Sequence, residues 1–144
     1  MIPESNDMRF EITLACNYSC VICPRDKITR KIETMSFELF QRLFDKVNKE
    51  TDQYNSLTFP GMGEPLLDRT LDRKIEYAKK QKKGINVLLL TNGAFLTPDR
   101  FERLETLGVT SIRVSLYGNN PASYKKMHGV TDETFFNKVR NNLV

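Results

Sequence analysis

"NVLLLTNG", residues 86–93, is an unbroken apolar run that ends in an Asn-Gly turn. A strand with one wet face alternates apolar and polar residues, whereas an unbroken run suits a strand covered on both faces, as in parallel sheets. Parallel neighbours need crossover connections, commonly helical. Helical patterns flank this run on both sides, so it reads as the third strand of a βα repeat.

Upstream, "MRFEITL" over 8–14 alternates as a first strand, and "SLTF" over 56–59 as a second. Between them Ser36 is placed to cap a helix over about 37–50, with Phe40, Leu43, Phe44 and Val47 on one face. A helix over about 69–82 carries Leu71, Ile75 and Ala78, and Gly84 is placed to end it in a left-handed cap. Downstream, Thr97 and Pro98 read as N-cap and first helical residue. That helix carries Phe101, Leu104 and Leu107 and stops at Gly108. "SIRVSL", 111–116, is the fourth strand. Asn120-Pro121 repeats the cap signal for a short helix ending near Gly129. A last helix begins near Asp132, with Phe135, Phe136, Val139 and Leu143 on or near one stripe. The order predicts an α/β fold with a parallel sheet, a partial barrel of four strand–helix units in one domain over 1–144. Four strands cannot close a barrel of side chains. The final helix runs into Val144 with no strand after it, so the expectation is a core domain cut short at its C-terminus.

Composition narrows the class. The chain has 144 residues, 40% of them hydrophobic and 28% charged, which is ordinary for a globular domain that needs no disulfide scaffold. "MIPESNDMRF" lacks a basic start and an apolar run, so no secretory signal is read there. No stretch has the ~20 apolar residues of a membrane span. The expected compartment is the reducing cytoplasm, where clustered cysteines suggest metal binding or catalysis. The net charge of +4 leaves nucleic acid or an acidic substrate open. Lys79, Lys80, Lys82 and Lys83, however, crowd a predicted helix C-terminus and read as a solvated face that complements the helix dipole.

The unusual residues all follow strands. "ACNYSCVICP", 15–24, follows the first and holds all three cysteines of the chain; "PGMGEP", 60–65, follows the second; "TNG" follows the third; "SLYG", 115–118, ends the fourth. In parallel α/β architectures ligands bind at the carboxyl ends of strands, so four such loops would build one site. Cys16, Cys20 and Cys23 have C-x3-C-x2-C spacing. Thiolates are soft ligands for zinc, copper(I) or iron–sulfur clusters. Structural zinc takes four closed ligands, and only the distant His128 could be the fourth. A cubane cluster held by three cysteines would leave one iron open to a substrate or cofactor.

On these residues the chain resembles the radical S-adenosylmethionine (radical SAM) superfamily: "CNYSCVIC" matches its cysteine loop, and "GMGEP", "TNG" and "SLYG" follow in order. The wording "CPR…MSFELF", "GMGEPLLD" and "TNG" looks most like the branch with C-terminal SPASM or twitch extensions. The resemblance implies about four of the six strand–helix units of that family's core. It also implies an enzyme in which Cys16, Cys20 and Cys23 ligate a 4Fe–4S cluster and S-adenosylmethionine chelates the fourth iron. One electron, from a reductant such as flavodoxin or ferredoxin, would cleave the sulfonium to methionine and a 5′-deoxyadenosyl radical, which takes a hydrogen from a substrate, a peptide or a small molecule. By position, Ile22 would lie against the adenine, where the family often has an aromatic. Gly63, Glu64 and Pro65 match the turn that holds the methionine amino group. Asn92 borders the site, and Ser115 matches a contact to the ribose or carboxylate. Two departures stand out. Met62 replaces a common glycine, and His128 stands where an arginine is expected. His128 reads as a solvated histidine with a weakened carboxylate contact. The alternatives are a cluster-binding fragment without activity and a zinc-binding module that is not an enzyme.

Overall fold

The computed structural model describes residues 6–143; residues 1–5 of the N-terminal stretch and Val144 lie outside the described residues. Four strands, β1 (Asp7–Arg9), β2 (Ser56–Phe59), β3 (Asn86–Thr91) and β4 (Ser111–Val114), form one open, all-parallel sheet in sequence order. The helices are α1 (Phe37–Glu50), α2 (Leu71–Gln81), α3 (Pro98–Thr106), α4 (Pro121–His128) and α5 (Thr134–Asn142). Among the described residues no helix is long and apolar enough to cross a membrane.

Local chemistry sets the helix starts. Ser36 Oγ accepts from the Leu39 N–H at 3.1 Å, and Thr97 Oγ1 from the Arg100 N–H at 3.3 Å, with Pro98 at the first helical position. Asn120 and Ser123 form a reciprocal capping box at the start of α4. The main core lies between the sheet and α1–α3, where Phe40, Phe44, Leu57, Phe59, Ile75 and Leu89 are fully buried.

Several expectations need correction. β1 is shorter than "MRFEITL". The Phe10 N–H still donates to the Thr58 carbonyl at 3.0 Å, but beyond it the chain leaves the parallel ladder. Residues 12–14 then pair antiparallel with 33–35, through Met35 N–H to the Ile12 carbonyl (2.7 Å) and Leu14 N–H to the Glu33 carbonyl (3.1 Å). The apolar alternation of Met8, Phe10, Ile12 and Leu14 is buried throughout, so the pattern continues after the pairing partner changes. β4 likewise ends at Val114. Leu43, Phe101 and Leu143 are exposed; Phe101 and Leu143 line a shallow groove beside Ile112 and Val114 of β4. α2 ends at Gln81 with Lys82 as C-cap, and Gly84 (φ 80°) shapes the turn into β3 instead of capping the helix. β3 is not sealed on both faces: Val87 and Leu89 are buried against the helices, while Leu88 and Leu90 are half-buried.

Candidate active site

The loops after the four strands meet at one end of the sheet. There a cavity of about 300 Å³ is lined by all three cysteines, by Gly63 and Glu64 after β2, and by residues after β3 and β4. Ile22, Asn92 and Ser115 line it too; Pro65 is buried behind the lining, where it begins a 3-10 turn, Pro65–Leu67. Met62 also faces the cavity, and its N–H donates to Glu11 Oε1 at 3.1 Å.

The turn after β2 packs against the chain leaving β1. Gly63 allows this: a Cβ there would collide with the Thr13 carbonyl oxygen and lie 2.8 Å from the Ala15 carbonyl oxygen. The Glu64 N–H donates to that same Ala15 carbonyl at 2.8 Å. The Glu64 carboxylate is 1% exposed and fully engaged. Its Oε1 accepts from the Leu66 N–H (3.0 Å) and the Thr91 hydroxyl (2.7 Å), and its Oε2 from the Asn92 N–H (2.7 Å). Burial pushes its acidity toward the neutral form, and these three donors pull the other way. Glu64 therefore ties the β2 and β3 turns together. Behind it, Lys74 is buried with Asp68 (2.5 Å), the Met35 carbonyl (2.6 Å) and the Thr70 hydroxyl (2.9 Å).

The cysteine loop rests on α4 and α5. Cys16 and Cys20 pack against a second apolar cluster that contains Tyr18, Tyr124, Val130 and Val139. The Val21 N–H donates to the Met127 carbonyl at 3.0 Å, at the C-terminal end of α4. Gly129 ends α4 in the left-handed region (φ 60°) and lies so close to the Ser19 carbonyl that no side chain fits. Asn92 spans from the β3 turn to the loop: its Nδ2 donates to Asn17 Oδ1 at 2.9 Å and lies 3.9 Å from Cys16 Sγ. The Tyr18 N–H also donates to Cys16 Sγ, at 3.4 Å. Ile22 is 54% exposed at the rim.

The thiols are half-buried. Burial, then repulsion from Cys16 and Cys23, pushes the Cys20 thiol up from its ordinary value. Among the described residues no three His, Cys, Asp or Glu side chains gather tightly enough to hold a single metal ion. A 4Fe–4S cluster asks for a different arrangement, since each cysteine takes its own iron and the thiols ring the cluster. Three half-buried thiols facing one cavity, two of them with N–H donors nearby, fit that group.

His128 was expected in solvent and is fully buried. Its ring lies between Tyr124 (centroids 4.1 Å apart) and Tyr117 (5.2 Å, stacked), with Tyr18 edge-on at 5.4 Å. Nε2 accepts from the Tyr117 N–H at 2.9 Å, and Nδ1 lies 3.5 Å from Cys20 Sγ. Burial lowers its basicity. Tyr18, Arg25 and Tyr117 had no role assigned from sequence. The largely buried Arg25 guanidinium donates to the Tyr18 carbonyl at 2.7 Å and braces the loop. Their only signal was proximity in sequence to the motif loops.

A family model described as the Radical SAM superfamily matches residues 10–141. The AdoMet-dependent heme synthase of Methanosarcina barkeri (strain Fusaro / DSM 804) is 30% identical over 137 residues, which cover 90% of this chain and 37% of that protein. The S-adenosyl-L-methionine-dependent 2-deoxy-scyllo-inosamine dehydrogenase of Niallia circulans is 28% identical over 125 residues, 85% of this chain and 48% of the relative. Among solved structures, BtrN in complex with AdoMet and 2-DOIA matches with a TM-score of 0.70 at 27% identity, over 79% of this chain and 46% of that one. The chain spans less than half the length of each. Members of the superfamily use a 4Fe–4S cluster and S-adenosylmethionine. A parallel sheet whose strand-end loops bring the three cysteines to one cavity, together with a match over 10–141, places the protein: the chain belongs to the radical SAM superfamily.

Proposed function

We propose that residues 1–144 form part of the core domain of a radical SAM enzyme, about four of its six strand–helix units, in which Cys16, Cys20 and Cys23 hold a 4Fe–4S cluster. The observation that carries this reading is the convergence of the three cysteines, the Gly63–Glu64 turn, Asn92 and Ser115 on one cavity. When bound, the cluster and S-adenosylmethionine together supply one-electron cleavage of the sulfonium to methionine and a 5′-deoxyadenosyl radical, the hydrogen-abstracting species.

The chain's own residues bind and position. The cavity wall at the Gly63–Pro65 turn receives the methionine end of the cofactor. Gly63 brings backbone close to the site, and Glu64 fixes the turn through its three donors. Ile22 at the rim offers an apolar surface to the adenine, and Ser115 a hydroxyl to the ribose or carboxylate. Tyr18, Tyr124 and Val139 back the cysteine loop with apolar packing, which excludes water from that side.

The substrate in this reading is a small molecule, in keeping with the 2-deoxy-scyllo-inosamine in the name of the N. circulans relative; a peptide rests only on the SPASM-like wording of the motifs. A flavodoxin- or ferredoxin-type protein in the cytoplasm supplies the electron. Anaerobic reconstitution with iron and sulfide tests the ligand set. The reading requires about four iron and four sulfide per chain. Zinc retained without sulfide would overturn it in favour of a zinc module.

A further inference from the structure

We propose that His128 is a positioning residue for the cluster: its Nδ1–H donates to Cys20 Sγ and raises the reduction potential of the cluster that Cys20 ligates. The inference rests on the cluster assignment above and adds a residue to it.

A backbone N–H can only donate. With the Tyr117 N–H 2.9 Å from His128 Nε2, that nitrogen must present its lone pair. The neutral ring then carries its proton on Nδ1, the nitrogen 3.5 Å from Cys20 Sγ. The contact is therefore an N–H···S bond with an assigned direction. The ring cannot easily turn out of it, because Tyr18, Tyr117 and Tyr124 enclose it and it is shut off from solvent. The chain also holds the histidine from behind. Tyr117 lies just past β4, and the left-handed Gly129 fixes the end of α4 against the cysteine loop.

Hydrogen bonds to the sulfurs are one of the levers that set iron–sulfur potentials. The reduced cluster carries one more negative charge than the oxidised one, so a donor aimed at a ligating sulfur stabilises the reduced form more. Cys16 Sγ has donors of its own from Tyr18 and Asn92. Cys20 receives its side-chain donor from His128, across 108 residues of sequence. An arginine at this position would bring a permanent charge; the histidine brings a neutral, directional N–H.

The test compares wild type, His128→Phe and His128→Gln after reconstitution, with iron and sulfide counted and the cluster potential read by redox titration. The expected result is a full cluster in His128→Phe with a lower potential, shifted by a factor of about 10 in the oxidised-to-reduced ratio at fixed potential, or about 59 mV for one electron. His128→Gln, whose amide can still donate, should recover part of the shift. An unchanged potential in a fully loaded His128→Phe overturns the inference and leaves the cluster assignment standing. No cluster in wild type sinks the cluster assignment itself. If His128→Phe fails to fold, nitrogen-15 NMR of the metal-free wild type decides on geometry, since His128 is the only histidine in the sequence. A proton on Nδ1 supports the inference, and a proton on Nε2 overturns it.

Discussion

The Asn92 N–H donates to Glu64 Oε2 at 2.7 Å, and this bond joins the turn after β2 to the turn after β3. With Thr91 and Leu66 on the other oxygen, the carboxylate serves three donors from a buried position. Glu64→Ala leaves those donors unpaired away from water and should cost about 2–4 kcal/mol of stability. Denaturant titration of the metal-free protein checks it.

The same carboxyl makes stability depend on pH. Burial raises the folded-state pKa of Glu64 above its ordinary 4.5. Between the two values the folded protein holds a proton that the unfolded chain has released. The contribution is therefore full below the ordinary value and is lost as pH rises through the folded one. The stability difference between wild type and Glu64→Gln should shift against wild type as pH rises across that window. A difference that stays flat with pH would contradict the burial argument.

Asp68 and Lys74 form a buried ion pair beneath the Pro65–Leu67 turn, with side chains 1% and 0% exposed. Asp68→Ala strands the ammonium with only the Met35 carbonyl and the Thr70 hydroxyl. A loss of about 3–5 kcal/mol is expected. Asp68→Ala/Lys74→Met, which removes both charges, should recover part of it in the same denaturant measurement.

Gly63→Ala should perturb the site more than its size suggests. The added methyl meets backbone oxygens of Thr13 and Ala15, which cannot move without disturbing the start of the cysteine loop. A destabilisation of about 1–3 kcal/mol is expected, with weaker S-adenosylmethionine binding by calorimetry on the reconstituted protein.

Cys16→Ala, Cys20→Ala and Cys23→Ala should each fold, since their side chains are only half-buried, and each should lose most of its iron and sulfide. A full cluster in any one of them removes that residue from the ligand set. In the metal-free protein the raised pKa of the Cys20 thiol should slow its alkylation relative to a free thiol at neutral pH, because the thiolate is the reactive form. Timed alkylation with peptide mapping reads it.

Short-range chemistry was legible in the sequence. Ser36, Thr97-Pro98 and Asn120-Pro121 mark helix starts because a cap and its N–H partner lie within three residues of each other. The apolar run 86–90 marked the third strand, although only Val87 and Leu89 of it are fully buried. Leu43, Phe101 and Leu143 fit the helical period yet are exposed, because period alone does not tell how far a helix is rotated against the sheet. The first strand was read too long because Ile12 and Leu14 keep their alternation after changing partners. The four loops could be assigned to one end of the sheet from strand order alone. His128 could not be read, since its burial depends on α4 closing against Cys20 and Tyr117, which no local pattern encodes.

The most direct test of the central claim is electron paramagnetic resonance of the reconstituted, reduced protein with and without S-adenosylmethionine. A 4Fe–4S signal that shifts on adding the cofactor is the predicted result, because a cluster held by three cysteines would leave one iron open. A 4Fe–4S signal indifferent to S-adenosylmethionine would contradict the account, since it would separate the cysteine loop from the cofactor-binding role given to the Gly63–Pro65 turn, Asn92 and Ser115.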